Sequence, residues 1–200
     1  LSYGFEVSYN DVTSIPEGKE IAISSNKVVG FTGNFKVQSR FPDGGSSYSS
    51  SAIYTDYRQD LNSKSTLNTG IRLTNTNLNA KWIDQTFIVL PKTEIELTNT
   101  ALTATIGYVY KPTKNWKINS VISSGFRSPN IDDVGKIREK KGNVTIPNIE
   151  VKPEFAYNAE IGVLKYFNQR RFSFGFNTYY TILDNYITRE ANGNTIMYDG

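Results

Sequence analysis

Arg127 is the residue with the most chemistry to offer, because its guanidinium stays charged and presents a planar fork of donors that fits a carboxylate. Glu154 and Glu160 are the carboxylates placed to meet it. Such a pair holds chain segments together or grips an anion. Covalent catalysis needs a nucleophile and a base, and the 200 residues contain no His and no Cys. That removes the commonest general base, the commonest metal ligand and all thiolate chemistry. Zinc sites and Ser-His or Cys-His catalysis are therefore not expected, and neither enzymatic activity nor a bound cofactor or metal is anticipated. The adjacent Asp132 and Asp133 lack further oxygen ligands and read as a solvated turn. Gly30, Gly33, Gly44 and Gly45 are not followed by the Lys-Ser/Thr of a phosphate loop. Net charge is +3, with 22 basic residues scattered among 19 acidic ones, so no nucleic-acid surface is expected.

The elements that must position Arg127 are strands. Apolar and polar residues alternate in seven segments, among them Tyr3-Phe5-Val7-Tyr9, Leu67-Thr69-Ile71-Leu73 and Leu102-Ala104-Ile106-Tyr108-Tyr110. Trp116-Ile118-Ile122, Ala159-Ile161-Val163 and Phe172-Phe174-Phe176 follow the same rule, while Ser47 to Tyr57 is weaker because Ser occupies both faces. A period of two is the signature of a strand with two different faces. No comparable segment has a helical period. The composition agrees, with 13 Tyr, 11 Phe and 15 Gly.

The connections carry as much information as the strands. Arg58 to Lys64, Lys111 to Asn115 and Asn168 to Arg171 are short and polar. Between them fall long ones: Asn10 to Gly45, Asn75 to Glu96, Ser128 to Phe155 and Asp184 to Asn194. Strict alternation of short turns and long loops is the habit of outer-membrane barrels. Only 38% of residues are hydrophobic, and no apolar run is long enough for a transmembrane helix. Strands that are apolar at alternate positions need no such run. Tyr108, Tyr110, Trp116, Tyr166, Phe167 and Phe172 crowd two of the short turns, as rings of a membrane-interface girdle would. The expectation is an all-β, antiparallel up-and-down meander of about eight strands, part of a larger transmembrane barrel. Both ends of the chain fall inside the pattern, so a longer protein is expected.

The stretch from Gly125 to Gly162 is more specific. Gly125-Phe126-Arg127-Ser128-Pro129-Asn130 ends one strand, Val151-Lys152-Pro153-Glu154 precedes the next, and Glu160 and Gly162 lie on that strand. This order resembles the TonB-dependent outer-membrane receptors, in particular members from Bacteroides-like bacteria, which the Gly142-Asn143-Val144 insertion and Leu183-Asp184-Asn185 also resemble. The second box departs from the family's pattern, since Pro147-Asn148 displaces its usual Asn-Pro order. The resemblance implies that residues 1–200 are part of the C-terminal barrel of roughly 22 strands, with the N-terminal plug and remaining strands absent. It implies uptake of a scarce extracellular nutrient, such as a ferric siderophore or cobalamin, energised by TonB through the missing plug region. Outer-membrane lipid would surround the wall. The absence of His between the boxes counts against haem. Phe126, Arg127, Pro129, Asn130, Lys152, Pro153, Glu154, Glu160 and Gly162 read as a staple of a long loop to the rim, and the ligand-binding residues stay open. The alternative is a soluble or surface-exposed β-sandwich for binding or adhesion.

Overall fold

Seven strands build one antiparallel sheet in a computed structural model that describes residues 1–197. They are β1 (Ser2–Val12), β4 (Ser46–Asn62), β5 (Ser65–Lys81), β6 (Glu94–Tyr110), β7 (Trp116–Arg127), β10 (Glu154–Phe167) and β11 (Phe172–Asp184), hydrogen-bonded in that order. Each alternating segment of the sequence falls on one of them. The sheet thus has seven strands where about eight were expected from the pattern. Of the terminal stretch Ile196–Gly200, residues 198–200 lie outside the described residues, and Ile196 and Met197 are not in a strand. β1 and β11 are edges, so the sheet does not close on itself.

The long connections carry structure of their own. Between β1 and β4 a hairpin forms from β2 (Gly18–Ser24) and β3 (Lys27–Phe35). Between β7 and β10 lie a one-turn helix, α1 (Ile131–Val134), and a small hairpin of β8 (Arg138–Lys140) and β9 (Asn143–Thr145). The loop expected at Asn75 to Glu96 shrinks to residues 82–93, because β5 and β6 stay paired from Ser65↔Tyr110 to Lys81↔Glu94. The turn expected at Arg58 to Lys64 likewise tightens, with Asn62 opposite Ser65.

Register keeps the two faces apart. Phe5 stands opposite Ile53, Ile53 opposite Leu73 and Leu73 opposite Leu102. Further along, Ile106, Ile122, Ala159 and Tyr180 are successive cross-strand partners. These residues form one apolar face, and it is bare: Phe5 is 80% exposed, Ile122 68% and Phe174 70%. Among the described residues no second sheet covers it. The sheet therefore lacks the layering of the sandwich alternative, in which two such faces bury one another. The opposite face is small and polar. On it Arg72 donates to Glu6 at 3.1 Å and to Thr74 at 3.1 Å, with its guanidinium 5.6 Å from the Tyr54 ring centroid.

The polarity inverts toward the long-loop end. On the apolar face of β4, β5 and β6 the last apolar residues are Ile53, Leu73 and Leu102. Beyond them stand Ser47, Ser49, Ser51, Asn75, Asn77, Thr98 and Thr100, with Asn75 donating to Thr100 at 2.9 Å and Thr98 to Asn77 at 2.8 Å. On the other face the same stretch presents Leu78, Ala80 and Ile95. These residues pack with Trp82, Ile88, Leu90, Val134 and Ile137 into the principal buried core. The inversion explains why Ser47 to Tyr57 looked weak and why β5 ran further than its pattern suggested. Trp82 is 2% exposed and central to this core. Trp82→Ala is expected to cost about 3–5 kcal/mol locally. Limited proteolysis should then cut residues 129–151 faster, while the seven-stranded sheet keeps its resistance.

Candidate functional site

The motif residues converge where β7 and β10 meet the loop core. Glu154 is the register partner of Arg127, so the ladder itself sets the two side chains on one face. Arg127 Nη1 donates to Glu154 Oε2 at 3.3 Å. Its Nη2 donates to both oxygens of Asp133, each at 2.8 Å. Asp133 and Glu154 are largely buried, with side chains 13% and 15% exposed, whereas Arg127 is 47% exposed. Two carboxylates held this close repel unless a delocalised cation lies between them, and guanidinium has the fork to serve both.

Asp133 is in place because α1 is capped. The Asn130 side chain accepts from the backbone N–H groups of Asp132 at 2.9 Å and Asp133 at 3.1 Å. Asp133 reciprocates by accepting from Asn130 N at 3.1 Å, which completes a capping box. Its neighbour Asp132 takes Lys136 at 2.6 Å and Arg189 at 3.5 Å. The reading of Asp132 and Asp133 as a solvated turn is thus corrected: both are paired, and both organise a helix end. The signal was present in the sequence as Asn130 followed three residues later by an acid. Ser128 adds a further tie, sharing a 2.8 Å hydrogen bond with Thr76 and accepting from Asn99 at 3.3 Å.

The other motif residues take separate places. Pro129 is fully buried. Phe126 lies on the apolar face, its ring centroid 5.4 Å from that of Phe155. Pro153 is half-buried, and Lys152 is exposed with no hydrogen bond or ion pair among the described residues. Glu160, the second carboxylate considered for Arg127, is not a partner. It shares the polar face six residues along β10, opposite Val121 and Tyr179. Gly162 lies between Asn119 and Asn177 in the same ladder. A Cβ there would collide with Asn177 Oδ1 and approach Asn119 Oδ1 to 2.7 Å, so a larger residue would have to displace these two side chains.

A single sheet with unlike faces, whose β7–β10 loop is clamped at one rim by an Arg–carboxylate cluster, suits a piece of a large β-barrel. The sequence matches the family described as TonB dependent receptor-like, beta-barrel over residues 2–199, and the chain belongs to that family. None of the curated proteins matches it in sequence. Among solved structures, a double mutant of the Serratia marcescens hemophore receptor HasR, in complex with its hemophore HasA and heme, superposes with a TM-score of 0.68 at 14% identity. The match covers 92% of this chain and 30% of that receptor, so the chain spans under a third of the receptor's length.

The Asp132 carboxyl is held below its ordinary value of 3.8, first by the hydrogen bond from Lys136 and further by the charges of Lys136, Arg189 and Arg40, against the opposing effect of burial. A carboxyl lowered in this way stabilises the fold at pH above its unfolded value, and the contribution is lost as pH falls through its folded value. The amides of residues 131–137 are therefore expected to lose hydrogen-exchange protection, corrected for intrinsic rates, at pH below 3.8. Asp132→Asn should show the lower protection already at neutral pH and respond little to acid.

Proposed function

We propose that this chain is part of the wall and extracellular rim of an outer-membrane receptor that takes up a scarce nutrient with energy from TonB. The plug that engages TonB, and the remaining strands, belong to other parts of the protein. One observation carries the reading. A bare apolar face runs across all seven strands, and on β4, β5 and β6 it ends at Ile53, Leu73 and Leu102, beyond which the same surface turns polar and the loops pack on the opposite side. A face of that kind suits lipid on the outside and a hydrated lumen or plug on the inside. The long-loop end is then extracellular, the short turns face the periplasm, and the protein resides in the outer membrane.

A ferric siderophore or cobalamin is the cargo we favour. The superposed hemophore receptor was solved in complex with its hemophore and heme, but these 200 residues hold no histidine to supply an imidazole ligand. The role is transport, with selectivity residing in loops such as 129–153. Uptake of labelled ferric siderophores, cobalamin and haem by cells carrying only the full-length receptor tests this directly. TonB-dependent uptake of haem alone would overturn the cargo assignment, and no TonB-dependent uptake of any would overturn the function.

In this reading Phe126, Arg127, Pro129, Asn130, Pro153 and Glu154 hold the loop to the rim and do not touch the nutrient. Glu160, Gly162 and Lys152 complete the family motif away from the ion-pair cluster. Arg127→Gln should weaken the rim by about 1 kcal/mol, the scale of a partly exposed charged pair, and raise protease sensitivity of residues 129–153. Loss of nutrient affinity in Arg127→Gln or Glu154→Gln with the loop still protease-resistant would sink the staple role.

A further inference from the structure

The short-turn rim is strongly cationic, and Asp60 is the carboxylate that approaches it. Lys64, Lys111, Lys114, Arg170 and Arg171 are exposed there, and Lys165 is half-buried beside them. The turns touch one another. Lys111 N donates to Lys64 O at 2.7 Å, and Arg170 Nη2 donates to Lys114 O at 2.9 Å while its guanidinium lies 5.0 Å from the Tyr166 ring centroid. Among the described residues none of the six cations forms an ion pair. No Asp or Glu occurs from Thr105 to Ile122 or from Ile161 to Leu183. Asp60, where β4 approaches this rim, is already bonded to Thr66 at 2.6 Å and lies 3.9 Å from Arg58. The opposite rim is built differently: Lys81, Arg127, Lys136 and Arg189 each have a carboxylate.

Lys165 settles what the cations face. In the ladder it stands opposite Trp116 and Phe174, on the apolar side of the sheet. Its Nζ lies 4.6 Å from the Trp116 ring centroid and 4.9 Å from that of Phe167. An ammonium held among aromatic rings at the end of an apolar face sits at headgroup level. We propose that this rim, with Lys165 at its outward end, binds the phosphates of anionic phospholipids in the periplasmic leaflet. The inference rests on the barrel orientation proposed above. Unrelieved repulsion among neighbouring cations calls for an anion, and the apolar surface continuous with Lys165 calls for one attached to acyl chains. A carboxylate-bearing cell-wall polymer would meet the turn residues from the aqueous side but would leave Lys165 unused.

The test uses the full-length receptor in nanodiscs of phosphatidylethanolamine with a minor fraction of phosphatidylglycerol, followed by extraction into mild detergent and native mass spectrometry. Wild type should retain phosphatidylglycerol out of proportion to its supply, and less of it as salt rises. Neutralising Lys165, Arg170 and Arg171 to Gln should lower the retained ratio by about fivefold per cation, equivalent to ~1 kcal/mol each. Lys165→Arg should keep it. Retention in proportion to supply, retention indifferent to salt, or a triple variant that behaves as wild type would each overturn the proposal. So would triple-variant loss of binding to purified peptidoglycan with lipid retention unchanged. Heat-modifiable migration separates the two levels of inference: a full-length receptor that forms no barrel overturns the orientation as well, whereas a folded barrel without lipid preference overturns the lipid site alone.

Discussion

The register of one antiparallel ladder is the constraint on which the rest of this structure depends. Side chains alternate between faces with a period of two, so a slip of one residue in any strand would exchange its faces completely. Arg72, Glu6, Glu160 and Arg127 would then stand on the apolar side, and Phe5, Leu73, Ile122 and Phe176 on the polar one. The longest pairing, Ser65–Lys81 with Glu94–Tyr110, must support two opposite polarity patterns along its length. Such length is what lets the sheet serve as a bare apolar wall at one level and as the floor of a loop core at another.

That change of polarity is what makes the long loops structured. Leu78, Ala80 and Ile95 offer a platform on the face opposite the bare apolar one, and Trp82, Val134 and Ile137 settle on it. Hydrophobic packing alone is non-directional. Direction comes from Arg127, which bridges Asp133 of the capped helix and Glu154 of the next strand. Its ladder position makes one of those contacts, and the capping box of Asn130 delivers the other. A loop between β7 and β10 is thereby fastened at both ends by a single side chain.

The two rims also differ in how charge is handled. At the long-loop end Lys81, Arg127, Lys136 and Arg189 are matched with acids inside the chain, which keeps the loops together. At the short-turn end cations are left to the surroundings. The turn at Asn168, Gln169 and Arg170 even adopts three successive left-handed residues, with φ of 45°, 55° and 69°. Tight reversal there places Arg170 over Tyr166 and against the neighbouring turn. The sheet is therefore polarised along its strands as well as across its faces.

The period of two by itself determined the seven sheet strands and the separation of faces, because alternation is a local property that each strand carries alone. Family membership was equally legible in the order of Arg127, Pro129, Lys152, Pro153 and Glu154, and in the alternation of short and long connections. Which carboxylate Arg127 takes was not legible. Glu154 and Glu160 share a face, and only the β7–β10 register places one opposite the guanidinium and the other six residues away. Asp133 was passed over because its value depends on a helix one turn long, too short to show a period. The core beneath the loops was hidden for a related reason: the paired length of β5 and β6 brings Leu78, Trp82 and Ile95 together, and Val134 joins them from the distant loop after β7.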